Sequence, residues 1–181
     1  NCYDTGLADL ALAEAGGTGR QHCENGMGRM AMNQHYLQLV QKLEEISHLN
    51  GVTSTLGWDQ EVLMPVGASE ARAKQISALA GVLHERMTDP VLGDCLRELR
   101  EKTTDAWGAI EQCNIHEALR SYELETKVPK QLVQELAELG SLGHGIWVTA
   151  RQENCFADFA PVLKRFLTLK REWAHCVAPE S

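Results

Sequence analysis

Two His-Glu dipeptides, His84-Glu85 and His116-Glu117, are the residues of this chain that come nearest to hydrolytic chemistry. A helix carrying His-Glu-x-x-His presents both imidazoles on one face. There they bind zinc, and the Glu serves as general base. After His84-Glu85 come Arg86, Met87 and Thr88, so the second histidine is missing. After His116-Glu117 come Ala118, Leu119 and Arg120, and the motif fails in the same way. Both pairs therefore read as solvated helix residues. The other histidines, His22, His35, His48, His144 and His175, are isolated. There is no Gly-x-Ser-x-Gly elbow, no phosphate-cradling glycine loop and no paired-cysteine site. The six cysteines, Cys2, Cys23, Cys95, Cys113, Cys155 and Cys176, are widely spaced. That points to reduced thiols rather than a disulfide framework or a zinc ribbon. No catalytic, cofactor-binding or metal-ligating residue is assigned.

One polar pair is set apart by its position. Asp59 lies on the apolar stripe Val52, Leu56, Leu63, and Arg72 lies four residues before Ile76 on the next stripe. A charge on a buried stripe needs a partner, because a lone buried charge is very costly. If the chain reverses near Pro65-Val66, Asp59 and Arg72 stand at about the same level. The expectation is an Asp59–Arg72 ion pair bracing a helical hairpin. The functional alternative is an Asp59 that reaches a substrate channel.

Helices must position these groups. From Asn33, the residues Tyr36, Leu39, Val40, Leu43 and Ile46 repeat at helical spacing. Asn50-Gly51 would usually end a helix, yet Leu49, Val52, Leu56 and Leu63 carry the stripe onward, which predicts continuation. Pro65 ends it, because proline disfavours the α conformation before it and lacks an N–H. A second helix covers Gly67 to Met87, with Ile76, Leu79, Ala80, Leu83 and Met87 inward. Asp89 caps a third that opens on Pro90 and buries Val91, Leu92, Cys95, Leu96 and Leu99. A fourth runs from about Trp107 to Lys127, with Ile110, Cys113, Asn114, Leu119 and Tyr122 inward. A fifth starts at Pro129 and faces Leu132, Val133, Leu136, Leu139, Gly143, Ile146, Trp147 and Ala150 to the core. Gly140, Gly143 and Gly145 either weaken it locally or let a neighbour approach closely. Asp158 caps a sixth, whose stripe includes Val162, Leu163, Phe166, Leu167, Leu169 and Trp173. No segment alternates as a strand does. The prediction is an all-α chain of about six helices in antiparallel hairpins.

Composition narrows the classes of function. The 181 residues suffice for one domain with a core of its own, and 44% apolar with 23% charged residues is ordinary for a globular protein. The net charge of −8 argues against a nucleic-acid partner, which requires a basic footprint. No apolar run approaches the ~20 residues that span a bilayer. Residues 1–32 are rich in glycine without sustained periodicity and read as a poorly ordered leader. Leu7–Ala15 carries Asp9 and Glu14 and has no basic flank, unlike a signal peptide. A cytoplasmic location is expected.

The ordered string of motifs resembles one family. Leu56-x-Trp58-Asp59-Gln60-Glu61, Met64-Pro65, Gly67, Ala71-Arg72, Gln75 and His84-Glu85 are followed by Thr88-x-Pro90 and by Asn114-Ile115-His116-Glu117. Lys127-Val128-Pro129, Trp147, Ala150-Arg151, Phe159-Ala160-Pro161 and Leu169-Lys170-Arg171-Glu172 continue the string. Together they resemble the amino-terminal region of the carboxypeptidase Taq family, over about residues 33–176. The chain departs from the family at Asn154-Cys155-Phe156, where Asn-Asp-Phe is usual. The resemblance implies part of a larger helical metallopeptidase fold. In it, zinc or cobalt activates water to release C-terminal amino acids from peptides, in a homodimer. It also implies that the zinc helix lies outside this chain, so no metal ligand carries over and no cofactor is expected to bind here. The competing expectation is a stand-alone helical interaction or regulatory protein without catalysis. The reading frame after Ser181 separates the two.

Overall fold

Punctuation in the sequence sets most of the helix ends. The computed structural model describes residues 26–102 and 107–179, with side chains from residue 34 onward except that of Val66. Six α-helices occur among the described residues: α1 (Gly26–Val62), α2 (Ser69–Met87), α3 (Pro90–Glu101), α4 (Ala109–Glu125), α5 (Lys130–Gln152) and α6 (Phe156–Val177). A 3-10 turn, Val66–Ala68, precedes α2. No described residue is in a strand. The all-α expectation is therefore met.

Helix α1 begins at Gly26 rather than at Asn33, so the last part of the expected leader is helical. The rest of that leader lies outside the described residues. α1 passes through Asn50-Gly51 unbroken, because one glycine costs only about 1 kcal/mol against alanine. It stops before Pro65, where the amides of Leu63 and Met64 both donate to Asp59 O, at 2.9 and 2.8 Å. Asp89 caps α3 as predicted, its Oδ1 accepting from Val91 N at 2.9 Å with Pro90 in the first turn. The α6 start is a correction. The residue that precedes its first turn is Cys155, and Asp158 sits within that turn. An acid there still favours the helix through its dipole. Asn154, at φ 53°, supplies the left-handed residue that turns α5 into α6.

The chain groups into two compact units. One joins Arg86–Glu123 to the described part of Asn1–His48. Its buried apolar side chains are Leu39, Ile46, Leu92, Leu96, Leu99, Ile115, Ala118, Leu119 and Tyr122. Tyr36 accepts a 3.0 Å bond from Asn114 Nδ2 and stacks near Trp107, ring centroids 5.2 Å apart. The other unit joins Leu49–Glu85 to Leu124–Ser181. There Val128, Leu132, Val133, Leu136 and Leu169 form the centre, with Ala80, Leu139, Phe166, Cys176 and Val177 packed on it. The predicted close approach to α5 is seen at Gly143, where a Cβ would lie 3.0 Å from Val162 of α6.

Several side chains assigned inward are exposed: Val52, Leu63, Val91, Ile110, Ile146, Trp147, Leu167 and Trp173, with Cys113 also exposed. A period of 3.6 defines an apolar stripe but not the width that a neighbour covers. Val91 and Ile110 sit in first turns, and Leu63 lies just past the end of α1.

Candidate functional site

The Asp59–Arg72 pair is the site that the sequence singled out, and the structure brings the two together. The Pro65 turn folds the first turn of α2 back beside the last turns of α1. Arg72 Nη2 donates to Asp59 Oδ2, Nη1 donates to Leu56 O at 2.5 Å, and Nε donates to Gln75 Oε1 at 3.1 Å. Arg72 is 13% exposed and Asp59 33%. The guanidinium thus serves two carbonyl-type oxygens and one carboxylate oxygen, all supplied by its own hairpin. The Asp59 side chain is engaged by this guanidinium within its own hairpin, which suits a structural brace.

Two reciprocal polar pairs extend this cluster onto α5, and sequence reading missed both. Ser141 Oγ donates to Gln60 Oε1 at 2.6 Å, and Gln60 Nε2 donates to Ser141 O at 3.1 Å. Ser77 Oγ donates to Gln134 O at 3.1 Å, and Gln134 Nε2 donates to Ser77 O at 3.4 Å. Lys130 and Glu85 close the same seam at 2.6 Å. The partners advance along α5 as they retreat along α2, the register of antiparallel helices. Ser77 and Gly81, buried four residues apart, were the available signal. Gly81 leaves the room that Gln134 fills, since a Cβ there would lie 2.9 Å from Gln134 Cδ.

The two His-Glu pairs fare differently. His116 is exposed, its Nδ1 3.2 Å from Glu117 Oε1, as expected of a solvated residue. His84 is a correction: it is 5% exposed, and its Nε2 lies 2.7 Å from Val128 O. The imidazole is held against the chain that enters α5. Burial, then the positive charge of Lys130, push its pKa below the usual 6.5, with Glu85 opposing. The folded state therefore disfavours the imidazolium. The stability that His84 confers is present above about pH 6.5 and declines as pH falls from there towards the lowered folded-state pKa. Glu125, raised by burial, works in the opposite direction. The check is thus a difference: urea midpoints of the native chain and of His84→Gln between pH 7 and 5. The native chain should lose stability relative to the variant on acidification, and a constant difference would refute the assignment.

Among the described residues, no group of three His, Cys, Asp or Glu side chains is placed to hold a metal ion. No helix of the described residues is long and apolar enough to cross a membrane. A family model for the carboxypeptidase Taq (M32) metallopeptidases matches residues 38–181. The chain belongs to this family. It is similar to thermostable carboxypeptidase 1 of Thermus thermophilus, 32% identical over 145 residues, which covers 77% of this chain and 28% of the relative. It is also similar to thermostable carboxypeptidase 1 of Pyrococcus furiosus, 24% identical over 154 residues, covering 85% and 30%. The BsuCP crystal structure superposes with a TM-score of 0.76 at 21% identity, over 80% of this chain and 29% of that one. That likeness concerns the fold. A structure of CHT matches with a TM-score of 0.60 at 32% identity, over 82% and 30%. The chain thus spans less than a third of the length of the curated relatives it matches. Metallopeptidase chemistry in this family implies a metal in its full-length members. The described side chains do not fit such an ion.

Proposed function

We propose that residues 33–181 are the amino-terminal helical portion of a metal-dependent carboxypeptidase, preceded by a leader. The metal-binding and catalytic part lies in sequence that this chain does not contain. In the full-length protein, the reaction is the release of C-terminal amino acids from peptides, with zinc or cobalt activating the water, in a cytoplasmic homodimer without nucleic-acid partners. The 181 residues alone neither hold the metal tightly nor hydrolyse peptides. One observation carries the reading: the family match runs from residue 38 to 181, yet these residues correspond to under a third of the matched relatives. Two further facts support it. Neither His84-Glu85 nor His116-Glu117 is followed by a second histidine at the spacing that binds zinc. The best-built polar cluster, around Asp59 and Arg72, is also internally satisfied.

The test is direct. Purified chain, with and without zinc or cobalt, is incubated with a peptide bearing a free C-terminus. No free amino acid should appear above the metal-only background. Release that depends on both chain and metal would overturn the reading.

A further inference from the structure

The part of α1 that lies in the second unit, from Leu49 onward, is covered on one side only. Asp59 turns to Arg72 of α2, and Gln60, one step of about 100° further round, turns to Ser141 of α5. By the same step, Gly51, Ser54, Thr55, Trp58 and Val62 share the remaining face, and all five are exposed. Trp58 is 57% exposed and Val62 58%. A Cβ at Gly51 or Gly57 would meet no atom within 4 Å. The hydroxyl of Thr55 donates to Gly51 O at 2.9 Å, so its polar group is satisfied within the helix. The face carries no charge; Glu61 stands at its edge. It is therefore an uncharged strip of small residues around one large indole, a combination that admits close backbone approach and suits an interface.

The identity of the occupant follows from chain length. This chain covers 28% and 30% of its curated relatives and 29% and 30% of the matched solved chains. More than two thirds of the fold that α1 belongs to is thus outside it. We propose that the Gly51–Val62 face of α1, centred on Trp58, is the docking surface for the part of the carboxypeptidase Taq fold that this chain does not span. This rests on the functional reading above. An uncharged strip selects an apolar, helix-sized partner surface, not a peptide carboxylate or a polyanion.

The experiment uses the intact chain with 5-fluorotryptophan incorporated, Trp58→Phe identifying the Trp58 fluorine resonance. The partner is thermostable carboxypeptidase 1 of Thermus thermophilus, produced without the segment that aligns with this chain. On mixing, the Trp58 resonance should shift and lose its sensitivity to D2O, and Trp58→Glu should weaken association at least tenfold. Complex formation with an unmoved Trp58 resonance overturns the proposal, and so does an absence of complex. Protection of Trp58 on concentrating the chain alone assigns the face to a second copy and also overturns it. Peptidase activity is read in the same mixture. Activity with an unmoved Trp58 retains the functional reading and rejects the surface. A moved Trp58 without activity rejects the functional reading and retains the surface.

Discussion

Replacing Arg72 with alanine should destabilise the chain by about 2–3 kcal/mol, read as a drop in the urea midpoint at unchanged slope. The guanidinium is 13% exposed and donates to Leu56 O, Asp59 and Gln75. Its loss leaves a carboxylate that is only one-third exposed without its cation, and a carbonyl near the end of α1 without its donor. Breaking a fully buried pair costs about 3–5 kcal/mol, and partial solvation of Asp59 lowers that figure. Arg72→Lys should recover part of the loss, because a single ammonium keeps the charge but cannot reach three acceptors. Asp59→Asn should cost less than Arg72→Ala, since the bond to Leu56 O survives. Were Arg72→Ala within about 0.5 kcal/mol of the native chain, the brace would be an ordinary surface pair.

Gly93→Ala carries the second large effect. Alanine is preferred over glycine in a helix by about 1 kcal/mol, so propensity alone predicts stabilisation. Space predicts the opposite. A Cβ at Gly93 would overlap Cζ and Oη of Tyr122 and lie 2.7 Å from Cε1. Tyr122 is itself buried, with the Arg97 guanidinium 5.9 Å over its ring, so the ring has little freedom to retreat. Overpacking typically costs about 1–3 kcal/mol, and the close overlap places this site at the upper end, leaving a net loss of up to about 2 kcal/mol after the propensity gain. A double-mutant cycle with Tyr122→Ala decides the matter. In that background Gly93→Ala should become neutral or stabilising; additive effects would show that the ring is not the obstacle.

The Asp59–Arg72 pair was legible from two local facts: a proline that had to reverse the chain and two charges equally far from it. One premise was nonetheless wrong. Val52 and Leu63, which defined the stripe under Asp59, are exposed. The pairing survived because distance from the turn, not burial, sets the level of the two residues. The Asp89 cap was equally legible, since a capping side chain acts on an amide two residues away. Family membership was legible in the order of many short motifs. What could not be read depends on neighbours distant in sequence. His84 was placed in solvent because its own helix gives no sign of Val128, whose carbonyl lies against it. Gln60 and Gln134 look like surface residues until Ser141 and Ser77 are brought opposite them. Trp147 and Trp173 were assigned to the core by size and spacing, yet a helix reaches its neighbours over a narrower strip than its apolar residues occupy.

The reciprocal pairs between Gln60 and Ser141 and between Ser77 and Gln134 also bear on sliding. Apolar helix faces built from similar side chains tolerate a displacement of one turn, about 5.4 Å, because ridges find equivalent grooves. Here such a displacement would part both pairs at once and move Gln134 away from the gap at Gly81. The partly buried amides and hydroxyls would then face neighbours with nothing to offer them. The pairs therefore act as notches that index α5 against α1 and α2. Whatever is later assembled on this scaffold inherits a fixed axial origin.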